Sequence, residues 1–233
     1  PIEGLYLGFV YRSRISLEMT GDAHFELDGL SDQSGFPDQK VETGFELPDI
    51  FSLAVGYQIL EAWYAEIDVE YTLWSVFKDI PLTFPDDKTG ALTQAIPQDW
   101  RNTITARFGN EITLGDRKEW AIRFGAGYDQ TPATSKHLSP MLPDSDRIFA
   151  AIGGGYEFDF GLALDIAYLH TFFLTREVHG RPCAAGSPDP ACAGTADGPA
   201  YDASGNVPWS GNRFPARYNN DAHLLSLTIS QRF

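Results

Sequence analysis

Apolar and polar residues alternate with a period of two along eight stretches of this chain, the spacing of β-strands that turn one face to an apolar phase. From Ala222 to Phe233, one face carries Leu225, Leu227, Ile229 and Phe233, and the other Ser226, Thr228, Ser230 and Arg232. Upstream, Leu162, Leu164, Ile166, Tyr168 and Phe172 oppose Ala163, Asp165, Ala167 and Thr171. Before them, Ile148, Ala150, Ile152 and Tyr156 form another apolar face. Trp120, Ile122, Phe124, Ala126 and Tyr128 oppose Arg123 and Asp129. Ile104, Ala106, Phe108 and Ile112 oppose Thr103, Thr105, Arg107 and Glu111, with Asn110 the one break. Trp63, Ala65, Ile67, Val69, Tyr71 and Leu73 oppose Glu66, Asp68, Glu70 and Thr72, while Phe51, Leu53, Val55 and Tyr57 oppose Ser52, Ala54, Gly56 and Gln58. The first strand is predicted at about Leu5 to Met19, with Leu7, Phe9 and Tyr11 opposite Arg12 and Arg14.

A soluble β-sandwich shows the same alternation, so the connections must decide. They are alternately tight, at Gln58 to Ala62, Gly115 to Lys118 and Asp159 to Phe160, and long, at Gly21 to Leu47, Asp79 to Trp100, Gln130 to Asp146 and Thr175 to Asp221. Short turns at one end and long loops at the other are the plan of an outer-membrane barrel. Aromatic residues at the ends of the apolar faces (Tyr11, Tyr57, Trp63, Tyr71, Trp120, Tyr128) match its two interfacial girdles. The predicted fold is therefore all-β, an antiparallel transmembrane β-barrel. Counting back from a last strand that ends in the periplasm makes the first strand run upward. Eight strands alone would close on a lumen filled by side chains, so the two outer strands are expected to stay unpaired with each other and to need further strands.

Composition narrows the functions. Lys and Arg total 17 against 32 Asp and Glu, and the net charge of -15 argues against a nucleic-acid partner. No apolar run reaches the length of a membrane-spanning helix. The 22 Gly and 15 Pro suit strands joined by turns. Cys183 and Cys192 lie in a Gly/Pro/Ala-rich stretch, where a disulfide would staple a loop in an oxidising compartment; free thiols are the alternative. The start, Pro1 to Gly4, has no export signal, so such a signal was removed or the chain is not the whole protein.

Glu66, Asp68 and Glu70 face inward as an acidic ladder, and Arg107, Arg123, Arg147 and Arg12 are expected to face it across the lumen in a charge network. Apolar residues also occur in loops, among them Phe45, Phe77, Phe84, Leu138, Met141 and Leu142, and they predict a groove for hydrophobic ligands. Little supports an enzyme. His24, His137, His170, His179 and His223 show no metal spacing, no serine sits in a nucleophile elbow, and no cofactor or metal is expected. Gly153 to Gly155 lies within a strand and points to close packing. Asp144 to Asp146 is expected to be solvated charge.

Several motifs occur in a telling order: Tyr11-Arg12-Ser13, Leu47-Pro48, Tyr71-Thr72-Leu73-Trp74-Ser75 with Phe77, Trp100-Arg101-Asn102, Thr131-Pro132, Pro143-Asp144-Ser145-Asp146-Arg147 and a terminal Phe233. Together they resemble the FadL-type outer-membrane transporters of long-chain fatty acids, a family that includes aromatic-hydrocarbon importers. The resemblance implies a fourteen-stranded barrel plugged by an N-terminal hatch, of which residues 1–233 would be the C-terminal part, with hatch and first strands absent. It implies passive import of hydrophobic small molecules through the outer membrane of a Gram-negative bacterium, with lipid and lipopolysaccharide as neighbours. It also gives Arg101, beside Trp100, a role near a bound carboxylate. The loop bearing both cysteines departs from the family pattern. A barrel acting as adhesin or structural protein through its long loops is the alternative.

Overall fold

In hydrocarbon no water completes a strand's hydrogen bonds, so each strand must pair with neighbours. The structure is a computed structural model and describes residues 2–25, 38–87, 90, 92–135, 137–138, 142–178 and 216–231. Its strands in chain order are β1 (Leu5–Arg12), β2 (Ile15–Ala23), β3 (Gln39–Leu47), β4 (Ile50–Leu60), β5 (Trp63–Thr72), β6 (Asp79–Thr83), β7 (Gln94–Pro97), β8 (Thr103–Leu114), β9 (Trp120–Asp129), β10 (Arg147–Glu157), β11 (Leu162–Phe173), β12 (Arg176–Val178), β13 (Ala216–Tyr218) and β14 (Asp221–Gln231). Eight of them form one antiparallel sheet in the order β1-β4-β5-β8-β9-β10-β11-β14. Among the described residues β1 and β14 do not pair with each other, so the sheet is open at both edges.

Register keeps the apolar face continuous: Leu7 lies opposite Val55, Val55 opposite Ile67, Ile67 opposite Phe108 and Phe108 opposite Ala126. Among the described residues none covers this face. Leu227 and Ile152 are 70% and 61% exposed, which places lipid against them. The three tight connections lie at one end of the sheet and the long ones at the other. Asn110, the break in alternation, is buried on the outward face and accepts a hydrogen bond from the Trp63 indole N–H at 3.0 Å. A cross-strand partner thus satisfies a polar atom in an apolar belt.

Two expectations need correction. The single first strand splits at Ser13 and Arg14, because β1 pairs with β4 whereas β2 pairs with β3. The stretches expected as loops at Gly21 to Leu47 and Asp79 to Trp100 supply strands of a second sheet, in the order β2-β3-β6-β7. Of these, β6 and β7 are hidden in the sequence, because they are only five and four residues long and Pro81 and Pro97 interrupt them. Buried apolar residues (Phe77, Ala133 and Leu138) lie in the long connections and not beneath the large sheet. Cys183 and Cys192, with the disulfide expected between them, lie outside the described residues, as does Phe233.

The Gly153–Gly155 run shows why side chains are missing there. Gly155 stands opposite Asp165, and a β-carbon on it would strike the carboxylate that pairs with Arg123 at 2.5 Å. Gly154 turns outward, with only the Ala121 carbonyl 3.7 Å from such a carbon. Gly155→Val is expected to lower the urea stability of the refolded full-length barrel by about 1 to 3 kcal/mol, the usual effect of overpacking, and Gly154→Val by less than about 0.5 kcal/mol.

Candidate functional site

Where strands leave the sheet at the long-loop end, side chains must replace the lost ladder bonds. Asp49, just before β4, accepts from the Tyr11 hydroxyl at 2.8 Å, the Arg14 backbone N–H at 3.1 Å and Arg14 Nε at 3.0 Å. The Tyr11 hydroxyl first, and Arg14 after it, hold the Asp49 carboxyl below the usual range. Asn102 ties β5 to β8: its Oδ1 accepts from the Ser75 N–H at 2.9 Å and its Nδ2 donates to the Tyr71 hydroxyl at 3.1 Å. Thr131 and Asp146 repeat this between β9 and β10. The Thr131 N–H donates to Asp146 Oδ1 at 2.8 Å, its hydroxyl to Asp144 Oδ2 at 2.6 Å, and the Tyr128 hydroxyl to Asp146 Oδ2 at 2.7 Å. Asp144 and Asp146, expected as solvated charge, are therefore loop anchors.

Held by these bonds, the β5–β8 connection folds a single 3-10 turn, Trp74–Val76, whose following Phe77 N–H donates to the Trp74 carbonyl at 2.9 Å. The Trp100 N–H then donates to the Phe77 carbonyl at 3.2 Å. This brings three rings together edge to face, with centroids 4.9 Å apart for Trp74 and Trp100 and 4.6 Å for Phe77 and Trp100. Trp74 and Trp100, with Ile50 and Leu142, give the apolar wall of a cavity of about 450 Å³. Arg107, Arg147, Glu70 and Asp129 also line it, and each is engaged: Arg107 donates to Asp68 at 2.8 Å and approaches Glu70 at 3.8 Å, while Arg147 Nε donates to Asp129 at 2.7 Å. A second cavity of about 450 Å³ lies alongside, lined by Arg101, Thr131, Ser135 and Arg176 among others. Arg176 donates to the Ala133 carbonyl at 2.8 Å and the Asp144 carbonyl at 3.0 Å. Burial, and then the neighbouring Arg101 cation, draws its guanidinium below the usual arginine value.

Among the described residues the expected charge network is a set of local pairs one or two strands apart. Arg107 meets Asp68 directly across the ladder; Arg123 pairs with Glu111 at 2.6 Å and Asp165 at 2.5 Å, away from the acidic ladder. Glu66 takes the Tyr64 hydroxyl at 2.6 Å in place of an arginine. Arg12 forms no ion pair among the described residues; Arg14 does, with Glu46 and Asp49. Inward side chains reach the next strand before they reach across a lumen, because strands lie only about 4.8 Å apart.

A family model described as "Outer membrane protein transport protein (OMPP1/FadL/TodX)" matches residues 2–233. The chain belongs to this family. Outer membrane protein P1 of Haemophilus influenzae is 24% identical over 173 residues, 74% of this chain and 35% of that protein. The long-chain fatty acid transport protein of Escherichia coli O6:H1 is 23% identical over 175 residues, 70% of this chain and 38% of that one. A crystal structure of a Pseudomonas aeruginosa FadL homologue has the same fold, with a TM-score of 0.77 at 24% identity, covering 98% of this chain and 49% of that one. The chain thus spans less than half of the relatives it matches. Its family places this FadL-type barrel protein in the outer membrane of Gram-negative bacteria.

In the FadL-type chain, the motifs that carried the resemblance bond to one another in consecutive pairs: Tyr11 to the residue after Leu47-Pro48, Tyr71 and Ser75 to Asn102, and Thr131 to Asp144 and Asp146. Of the predicted ligand residues, Trp100 and Leu142 line the first cavity, Phe77 packs behind Trp100, and Leu138 is buried against it with Ala133. Arg101, although next to Trp100, lines the second cavity, where its Nε donates to the Thr131 carbonyl at 3.2 Å and Asp146 lies 3.9 Å away. Phe84 packs at a tilt against Phe25, apart from both cavities. Met141 lies outside the described residues. Trp74 lies in the Tyr71–Ser75 motif with no ligand role expected of it, and nothing in the isolated Thr175-Arg176-Glu177 run announces the two carbonyl acceptors of Arg176. Arg176→Lys, which keeps charge but cannot span both carbonyls, is expected to raise amide exchange around 131–138 by about tenfold with the barrel intact. Unchanged exchange there would show that Arg176 does not hold this loop.

Proposed function

We propose that the complete protein passes hydrophobic small molecules, fatty acids or hydrocarbons, passively through the outer membrane. The observation that carries this is the aromatic cavity: its wall of Trp74, Trp100 and Leu142 is apolar, and the arginines beside it are already neutralised by Asp68 and Asp129. A site whose charges pair internally favours an apolar guest over an ionic one. The second cavity adds Arg101, half exposed and held among the described residues by a carbonyl and a distant carboxylate, close to Arg176. These cations suit the carboxylate of a fatty acid whose chain lies toward Trp100. Further strands outside these residues would cover the edges at β1 and β14, and a hatch among them would close the lumen.

Uptake of labelled oleate and of toluene by cells lacking the gene, and regaining it complete, tests the reading. Restoration by the wild type is expected. Trp100→Ala should slow both substrates by about tenfold, as loss of a buried aromatic contact does, and Arg101→Ala should slow oleate by about tenfold with toluene unchanged. Equal uptake with and without the gene would remove the transport reading and leave the long loops as the functional part.

A further inference from the structure

Among the described residues of the eight large-sheet strands, every outward position is apolar, aromatic or an uncharged amide except three: His170 on β11, and Asp221 and His223 on β14. Ionisable groups on a lipid-facing surface are costly, and here they gather in one patch. His170 and His223 are direct partners in the ladder, and Asp221 stands two residues along on the same face. Eight residues separate His170 from the tight-turn end at Leu162, which sets it roughly 20 Å up a tilted strand, near the outer boundary of the apolar belt.

The donor atoms converge. One ligand atom from each residue lies within 4.8 Å of the other two. His223 Nε2 is 3.0 Å from Asp221 Oδ2, and its Nδ1 is 2.6 Å from the Tyr168 hydroxyl. Among the described residues His170 Nε2 is buried and without a partner, its ring stacked on Phe172 at 3.8 Å. An orphaned imidazole nitrogen in an apolar belt is expensive unless something accepts its lone pair. Four-coordinate zinc with bonds of about 2.0 Å needs ligand atoms about 3.3 Å apart, within a side-chain rotation of those present. Tyr168 contacts the second nitrogen of His223, where an orienting partner fixes the ring that ligates.

We infer that His170, Asp221 and His223 form a binding site for a zinc-class divalent cation at the outer rim of the apolar face. The donor set of two imidazoles and one carboxylate suits zinc and its neighbours and not calcium or magnesium, and it leaves one position open. Bound there, the cation bridges β11 and β14 without touching the cavities of the long-loop end.

The test uses the full-length protein without a polyhistidine tag, purified in detergent, stripped with chelator and equilibrated with micromolar zinc. One zinc per chain is expected, and cobalt in its place should show the intense visible bands of four-coordinate geometry. His170→Ala with His223→Ala should abolish that equivalent, and Tyr168→Phe should weaken binding by about 10- to 100-fold. His24→Ala and His137→Ala should leave it intact. Heat-modifiable gel mobility verifies that each variant is folded. Absence of bound zinc in the wild type, or an undiminished equivalent in the folded double variant, would overturn the inference.

Discussion

A strand in hydrocarbon cannot leave its backbone groups unpaired, and everything else in this chain is arranged around that requirement. It forces the eight long strands into one continuous ladder, from Leu5 opposite Tyr57 to Leu162 opposite Gln231. The ladder in turn fixes which residue meets lipid, since period two sends Ile67 and Ile122 outward while Asp68 and Arg123 turn inward. Inward charges then find partners one or two strands away, so among the described residues the inner face carries short-range ion pairs.

At the long-loop end the ladder stops and side chains take over. Asp49 and Asp146 each accept bonds from a strand end and from the residues that follow it, while Asn102 accepts from Ser75 and donates to Tyr71 as a strand departs. Such anchors let loops stay ordered where no large core exists, because the few buried apolar residues, Phe77, Ala133 and Leu138, could not order them alone. The product is a set of rings, Trp74, Phe77 and Trp100, held edge to face at the mouth of the sheet. Cavities for a hydrophobic guest follow from where the ladder ends.

Much of the large sheet was legible in the sequence because lipid imposes a strict period on long strands; Leu225, Leu227 and Ile229 are a clear case. Shorter strands of the upper sheet were not, since β6 and β7 meet no uniform phase and carry Pro81 and Pro97. Site chemistry was legible where it followed chain order, as in Trp100 of the Trp100-Arg101-Asn102 motif. It was hidden where it depended on register. Nothing in the spacing of Glu111, Arg123 and Asp165 says that they meet, and the 53 positions from His170 to His223 conceal a direct pair. Arg101 shows the opposite failure: adjacency to Trp100 did not place both in one cavity.

The central claim is that one face of this sheet meets lipid and the other an aqueous interior. Spin labels on single cysteines, in full-length protein whose Cys183 and Cys192 are serine, measure it directly in vesicles. Labels at Leu53, Ile67, Ile122, Ile152 and Leu227 should collide mainly with dissolved oxygen. Labels at Ala54, Asp68, Ala121, Ala151 and Ser226 should collide mainly with a water-soluble nickel chelate. The same response on both sets, or nickel contact confined to the first, would contradict the account.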